Sequence, residues 1–257
     1  MFKEKFDLNL DFLKMKPPHL IGVDISSSSV KMVELSISNK ANQTYRIERY
    51  AIESLPDDAM LEGGIVNLEV VSECMQRGWK RMGTRQRNVA LALPVTDVIT
   101  KKIIVPAGQR EDDLIFQVEN EASQYIPFPL DEIDLDFQIV KPVSDSMDEV
   151  EGLIAASRKE KVEDRVAAAL SAGLKAIVMD VESYAAQAAF ELTLSQLPES
   201  GKDQVIALVD IGSTVMKINV FHNGEQVYTR DQPFGGNQLT QEISNQFNLS
   251  SEENNRQ

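Results

Sequence analysis

The feature that most constrains the fold of this 257-residue chain is a segment that occurs twice, at equivalent positions such as Asp24 and Asp210. The copies read LIGVDISSSSVKMVEL from Leu20 and IALVDIGSTVMKINVF from Ile206. In each copy an apolar strand ends in an aspartate, a turn of small residues follows, and a lysine stands seven residues after the aspartate. A repeat at so long a spacing predicts two related domains rather than a solenoid of short units.

Each copy has the chemistry of half a phosphate clamp. A tight turn of small residues exposes backbone N–H groups to an anion, and hydroxyl groups add donors. An aspartate repels phosphate, so its expected role is to hold a hydrated Mg²⁺ ion. One such turn is a common hairpin, but two copies predict a nucleotide site gripped from both sides. The predicted nucleotide-binding residues of the two turns are Asp24, Ser26, Ser27, Ser28, Asp210, Gly212, Ser213 and Thr214. The two aspartates are predicted to hold Mg²⁺ through water.

The composition limits the classes of partner and the compartment. The chain has 40 acidic and 26 basic residues, a formal net charge of −14, which disfavours nucleic acid as the main partner. Its single cysteine, Cys74, forms no internal disulfide, which is typical of a reducing compartment such as the cytoplasm. No apolar stretch reaches the length of a transmembrane helix. Residues 1–18 are predicted to be a leader that ends at a Pro-Pro pair; a weak membrane-surface helix is the alternative.

Hydrophobic periodicity predicts an α/β protein. The predicted strands are 19–24, 30–37, 44–52, 88–93, 98–105, 135–140, 152–156, 174–180, 205–210, 215–221 and 226–231, and the predicted helices are 69–82, 110–125, 159–171, 183–197 and one that starts after 235–236. Residues 92–157 form a small α+β unit of their own, with a solvated acidic loop at 144–149. The segment 197–203, with Pro and Gly, is the expected linker.

The paired hairpins resemble the two phosphate motifs of the actin-like ATPase superfamily, a ribonuclease-H-like fold of two domains. The resemblance implies that Lys31 contacts the phosphates, whereas it assigns no role to Lys217. It also implies that Glu182, at the start of an alanine-rich helix, orients a water near the γ-phosphate; a carboxylate that only favours a helix N-terminus is the alternative. Gly235 and Gly236 resemble the Gly-Gly helix start that follows the second hairpin in bacterial members, and the resemblance places Lys31, Gly235 and Gly236 among the nucleotide-binding residues.

Within the superfamily, GVDISSSSVKMVEL and the small inserted unit resemble the PilM family of type IV pilus assembly. That resemblance implies a cytoplasmic ATP-binding scaffold at the inner face of the inner membrane. Its partner would be the N-terminal cytoplasmic peptide of a PilN-type membrane protein, with membrane contact only through that partner and self-association left open. The cofactor would be ATP or ADP with Mg²⁺. The peptide groove is expected around Tyr125, Ile126 and Phe128, with core packing of these residues as the alternative.

The family pattern predicts the division of the chain. A leader at 1–18 precedes a first domain at 19–91 and 158–197, an insert of the type found in FtsA (subdomain 1C) at 92–157, and a partial second domain at 203–257. The adenosine-binding motif is expected beyond residue 257, so the second domain is predicted to be truncated and nucleotide binding weakened. Ser26 also departs from the glycine usual at its position.

Two other functions stay open on sequence alone. An FtsA-like cell-division filament protein would share the fold, and so would a phosphotransferase such as a sugar kinase. A kinase needs an aspartate base for its substrate hydroxyl, and none is apparent. Hydrolysis is therefore expected to be weak or absent.

Overall fold

The structure, a computed structural model, describes residues 19–39, 44–143, 146 and 148–247. The predicted leader at 1–18, half of the predicted acidic loop and the last ten residues of the predicted second domain therefore lie outside the described residues. The strands in chain order are β1 (Ile21–Ile25), β2 (Ser29–Asn39), β3 (Thr44–Ser54), β4 (Met60–Leu61), β5 (Gly64–Ile65), β6 (Asn88–Leu93), β7 (Val98–Pro106), β8 (Ile133–Pro142), β9 (Glu149–Arg158), β10 (Lys175–Val181), β11 (Val205–Ile211), β12 (Met216–His222) and β13 (Glu225–Gln232). The helices are α1 (Leu68–Met82), α2 (Glu111–Tyr125), α3 (Lys159–Ser171), α4 (Glu182–Glu191) and α5 (Gly236–Phe247).

A five-stranded sheet in the order β10-β6-β1-β2-β3 forms the centre of the first half. β1, β6 and β10 run parallel, and β2 and β3 are antiparallel additions on one side. β1 and β6 are interior strands, and every second residue of each is buried, as expected when one face packs against helices. This arrangement places the end of β1, and with it the first repeated turn, at the carboxyl edge of the parallel strands.

Helices α1 and α3 pack against each other and against this sheet. Their buried residues join the main core, which includes Val71, Met75 and Ala168. The Asn67 side chain caps α1 by accepting a hydrogen bond from the Val70 N–H at 3.2 Å. Gly83, with φ of 62°, ends α1 in the left-handed conformation that glycine adopts without strain.

The predicted insert contains a separate antiparallel sheet in the order β7-β9-β8. Helix α2 lies against it, and Val118 packs with Phe137 and Ile154 in a core distinct from the main one. β9 runs directly into α3, so the insert is joined to the first half by a helix that belongs to the main core. The domain boundaries themselves remain predictions.

The second repeated segment forms a three-stranded antiparallel sheet in the order β11-β12-β13. It is followed by α5, which begins at the predicted glycine pair. No helix within the described ranges is long and apolar enough to cross a membrane.

Two predicted elements are wrong in detail. The helix predicted at 183–197 ends at Glu191, because the Thr193 N–H and hydroxyl both bond the Phe190 carbonyl and tighten the chain into 3₁₀ turns. The strand predicted as buried at 174–180 is β10, in which three of the seven residues are exposed and only Val181 is fully buried, because it forms an edge of the sheet. The expected linker at 197–203 contains a tight turn, Pro198–Gly201, in which Glu199 and Ser200 have φ of 50° and 54°, and Gly201 is buried.

Candidate functional site

The two repeated segments form hairpins with the same backbone register. Asp24 lies opposite Lys31 across β1 and β2, and Asp210 lies opposite Lys217 across β11 and β12. Each turn is closed by an equivalent hydrogen bond of 3.0 Å, from the Ser26 N–H to the Ser29 carbonyl and from the Gly212 N–H to the Val215 carbonyl. The repeat in the sequence is therefore a repeat in three dimensions.

The tips of the two turns face each other and touch through hydroxyl groups. The Ser27 Oγ and Ser213 Oγ atoms are 2.7 Å apart, and the Thr214 hydroxyl donates to Ser27 Oγ at 2.9 Å. The turns come from opposite halves of the chain, so these contacts join the halves at the site predicted to hold phosphate. Hydroxyl groups that bond one another here are donors that can turn to an anion with little change of backbone.

A cleft of about 560 Å³ runs along the two turns. It brings together most of the residues predicted from sequence, namely Asp24, Ser26, Ser27, Ser28, Lys31, Glu182, Asp210, Gly212, Ser213 and Thr214. A second space of about 700 Å³ adjoins it and shares Asp24, Lys31, Glu182, Asp210 and Lys217. The cleft and its extension are large enough for a ligand of nucleotide size.

Gly235 and Gly236 lie behind the second turn and are not among the residues that line the cleft. The Gly236 N–H donates to the Gly212 carbonyl at 3.0 Å, and the Asn237 N–H donates to the Ser213 carbonyl at 2.9 Å. A Cβ atom on Gly235 would lie 2.4 Å from the Ser213 carbonyl oxygen, a distance that real Cβ atoms do not adopt. These glycines let the start of α5 pack onto the turn and hold it in shape.

Ser26 fits its turn although the family resemblance leads to the expectation of glycine there. The residues of the described chain with positive φ do not include Ser26, so this position does not require glycine. Its hydroxyl donates to the Ser29 carbonyl at 3.0 Å and accepts from Lys31 Nζ at 3.3 Å. Serine therefore adds two hydrogen bonds to the first turn.

The two lysines of the repeat have different partners. Lys31 Nζ is 2.8 Å from Asp24 Oδ2, the carboxylate directly across its hairpin. Lys217 instead pairs with Glu182 Oε2 at the start of α4, and Asp210 is left without that cation. Glu182, predicted to orient water, is thus held in the cleft by a lysine to which the resemblance assigned no role.

The charges of the cleft suit a nucleotide that arrives with a divalent cation. Five carboxylates line it, Asp24, Glu62, Glu182, Asp210 and Asp231, against three basic side chains. A bare polyphosphate would be repelled by this excess of negative charge. The part of the chain that the structure describes has no group of three or more metal-ligating side chains. Asp24 and Asp210 are a donor set that fits Mg²⁺, which takes one or two carboxylates and completes its shell with water and phosphate oxygens.

The cleft also contains residues that the sequence patterns did not indicate, and one of them, Arg165 of α3, is a buried cation. Its side chain is buried, and its Nη2 atom donates to the Gly63 carbonyl at 2.9 Å. Burial lowers the pKa of this guanidinium, an effect that the carboxylates of Glu182, Asp97, Asp24 and Asp164 partly oppose. No motif surrounds Arg165, which stands in a helix beside ordinary alanines, so no signal in a single sequence could have found it.

The residues predicted for a peptide groove lie at the exit of α2, and they occupy three different environments. Ile126 is buried in a small core of the insert, whereas Tyr125 is exposed with Lys101 Nζ 4.1 Å from its ring centre. Phe128 lines a pocket of about 340 Å³ that also contains Arg158 and Lys161, and the Arg158 guanidinium lies 5.4 Å from its ring centre. The structure therefore brings Ile126 and Phe128 to one pocket and leaves Tyr125 outside its lining.

A second pocket of about 340 Å³ lies between the insert and the first half. Its lining includes Phe137 from β8 and Tyr184 from α4, together with the acidic residues Asp134, Asp136 and Asp180. The two pockets thus differ in charge, since the pocket at Phe128 has two basic residues and one acidic residue.

Comparison with known proteins gives consistent matches to this arrangement. A family model described as type IV pilus assembly protein PilM matches residues 22–257. Among solved structures, a PilM-PilN type IV pilus biogenesis complex is similar with a TM-score of 0.75 and 26% identity, over 93% of this chain and 68% of that chain. The ethanolamine utilization protein EutJ from Carboxydothermus hydrogenoformans matches with a TM-score of 0.52 and 16% identity, over 94% of this chain and 61% of that one, a likeness of fold alone.

Among curated proteins, the cell division protein FtsA of Bacillus subtilis (strain 168) is 21% identical over 252 residues. The match covers 91% of this chain and 56% of FtsA, so the chain spans little more than half the length of that relative. Together with the paired hairpins, these matches confirm the predicted actin-like fold.

Proposed function

The chain belongs to the family of the type IV pilus assembly protein PilM, and from that premise we propose that it is an ATP-binding scaffold that docks the N-terminal cytoplasmic tail of a PilN-type membrane protein. The observation that carries the nucleotide part is the cleft between two hairpins of identical register, whose turns meet at Ser27 and Ser213. The similarity to a PilM-PilN complex supports the choice of partner. On this proposal the protein acts at the inner face of the inner membrane.

Nucleotide would be held mainly by groups that are already in place. The Ser27, Ser213 and Thr214 hydroxyls and the N–H groups of the two turns would donate to phosphate oxygens. Asp24 and Asp210 would hold the magnesium ion through water. The ion would supply the positive charge that allows a polyphosphate into a cleft with an excess of carboxylates. Glu182 would orient a water near the last phosphate.

The chain's own contacts favour binding over fast hydrolysis. Glu182 forms an ion pair with Lys217, which engages one oxygen of the carboxylate that would orient the water. A carboxylate with one oxygen held by a lysine has less capacity to accept a hydrogen bond from water than a free one. We therefore propose a role in which nucleotide state is read by the partner complex and hydrolysis is slow.

The peptide of the partner would dock at the exit of α2. The Phe128 pocket offers an apolar wall for an anchor side chain, and Arg158 and Lys161 at its edge would fix the register of the peptide by polar contacts. The basic residues favour an acidic group in the peptide next to its apolar anchor.

The nucleotide part is tested with Asp210→Asn. This change removes a carboxylate that would help to hold Mg²⁺ and keeps the shape of the side chain. We expect the Mg²⁺-dependent affinity for ATP in calorimetry to fall about tenfold, on the scale of one lost charge-assisted contact, with no change in melting temperature. Wild-type affinity in this variant, measured with and without Mg²⁺, would sink the assignment of Asp210.

The partner part is tested by titrating a synthetic N-terminal peptide of the PilN-type protein. Phe128→Ala should weaken binding about tenfold or more, because an aromatic anchor wall is removed. Tyr184→Ala, in the acidic pocket between the insert and the first half, is the matched control and should leave the affinity unchanged. The reverse pattern would move the peptide to the Tyr184 pocket, and no binding at all would remove the partner from this chain.

A further inference from the structure

Arg165 is a buried cation whose side chain opens onto the cleft between the hairpins. It is 3% exposed and is contributed by α3, the helix that continues from the insert into the main core. Resting on the nucleotide binding proposed above, we propose that the Arg165 guanidinium is a phosphate-binding residue of this cleft, and that it takes a terminal or bridging phosphate of a nucleoside polyphosphate.

Most N–H donors of the Arg165 guanidinium have no hydrogen-bond partner among the described residues. It carries five N–H groups in a planar fork, and in the described part of the chain it forms one hydrogen bond, from Nη2 to the Gly63 carbonyl. No carboxylate of the described residues lies within ion-pair distance of it. By contrast, the other two cations of the cleft, Lys31 and Lys217, each have a carboxylate partner.

A buried charge without a paired counter-charge is costly, because it loses its hydration and gains little in return. The lowered pKa of Arg165, caused first by burial, reflects that cost. Distant carboxylates, Glu182 foremost, offset only part of it. Such a residue is stabilised when a ligand brings an anion to it, and a planar guanidinium matches two phosphate oxygens at once.

The one hydrogen bond of Arg165 orients the guanidinium and leaves most of its N–H donors without a partner among the described residues. Its acceptor is the carbonyl of Gly63 in the turn between β4 and β5, where Glu62 and Gly63 have φ of 49° and 81°. Glu62 and Gly63 also line the cleft. A turn in this unusual conformation holds the carbonyl at a set position, so Arg165 is anchored at one nitrogen while its other N–H groups remain open to a ligand.

The competing explanation is that Arg165 only ties α3 to the β4–β5 turn. The two explanations differ in what they predict for Arg165→Met, a change that keeps an unbranched apolar side chain in the buried position and removes the charge. If Arg165 serves a ligand, the variant should melt at or above the wild-type temperature without anions, because removal of an uncompensated buried charge is neutral or stabilising. If Arg165 only holds α3 against the β4–β5 turn, the variant should have a lower melting temperature than wild type, because that hydrogen bond is lost.

The experiment compares wild type, Arg165→Met, Arg165→Lys and the control Arg110→Met, which removes the same charge from an exposed side chain paired with Asp113. Thermal unfolding and calorimetry are measured with no anion, with Mg²⁺ and inorganic pyrophosphate, and with Mg²⁺ and ATP. Wild type and Arg110→Met should be stabilised by both anions. Arg165→Met should bind both about tenfold more weakly or worse, and Arg165→Lys should retain part of the affinity.

Undiminished stabilisation of Arg165→Met by both anions would overturn the inference while leaving nucleotide binding in place. Failure of wild type to bind either anion would overturn both this inference and the nucleotide part of the proposed function. Peptide binding, measured on the same samples, separates that result from a failure of the scaffold role, because the Phe128 pocket does not include Arg165.

Discussion

Ile25, at the end of the first hairpin's leading strand, is 5% exposed, whereas its equivalent in the second hairpin, Ile211, is 63% exposed. The backbones around them have the same register, and each follows the aspartate of its turn. What differs is the covering: α1 and α3 pack beside β1 and its neighbours, while within the described residues no helix packs extensively against β11, β12 and β13. Two copies of one motif can thus differ widely in how much of the folding free energy they carry.

The charged residues differ in a related way. The first hairpin satisfies its own aspartate with its own lysine, whereas the lysine of the second is taken by Glu182 from the other half of the chain. The ion pair of the first hairpin is therefore internal to that hairpin, whereas the lysine of the second binds a carboxylate of α4.

The largest effect expected from this comparison is on stability. Ile25→Ala should lower the free energy of unfolding by about 3 kcal/mol, because it removes buried methylene groups and leaves a cavity. Ile211→Ala, the same change at the equivalent exposed position, should cost about 0.5 kcal/mol or less. Urea unfolding of both variants measures the difference, and equal losses would show that the second strand is covered in solution.

A smaller effect is expected from the two lysines. Lys217→Met should cost about 2 kcal/mol, because it leaves the Glu182 carboxylate, whose side chain is 16% exposed, without its cation. Lys31→Met should cost less than about 1 kcal/mol, since the Asp24 side chain is 49% exposed and remains hydrated. The double variant Lys217→Met/Glu182→Gln should recover part of the loss. If Lys217→Met is no worse than Lys31→Met, the difference between the hairpins does not lie in their ion pairs.

The smallest effect concerns an exposed ion pair that joins the β11-β12-β13 sheet to the insert. Lys141 of β8 and Glu225 of β13 are 2.6 Å apart, and their hydrogen bond lowers the pKa of Glu225 and raises that of Lys141. A lowered carboxyl pKa contributes stability that is present above its ordinary value of 4.5 and is lost as pH falls through the lower value in the folded protein. The raised lysine pKa contributes stability that is present below 10.5 and is lost as pH rises above it.

Glu225→Gln should therefore lower the melting temperature slightly between pH 4.5 and pH 10.5. This loss should vanish in high salt, where exposed ion pairs are screened. Thermal unfolding at pH 7 in low and high salt tests this. A large loss that persists in high salt would mean that this contact contributes more than the hydroxyls at the turns to holding the β11-β12-β13 sheet against the rest of the molecule.

Features that depend on neighbours in sequence were predictable from the sequence alone. The turns of the two hairpins, the strand at Asn88–Leu93 and the helix at Lys159–Ser171 follow from small residues in turns and from apolar periods of two and 3.6, and the structure confirms them. Each of these signals is complete within about ten residues. The meeting of the two turns in one cleft was also predictable, because two copies of a phosphate motif can bind one nucleotide from both sides only when they face each other.

The tertiary structure alone decided which charges meet and which strands are covered. Lys217 pairs with Glu182, which is 35 residues away in sequence, and Arg165 donates to the carbonyl of Gly63, which is 102 residues away. Three of the seven residues of β10 are exposed although its sequence is mostly apolar, because its place at the edge of the sheet is set by strand order. Burial and ion pairing are properties of the space around a side chain, and that space is filled by segments that local sequence does not specify.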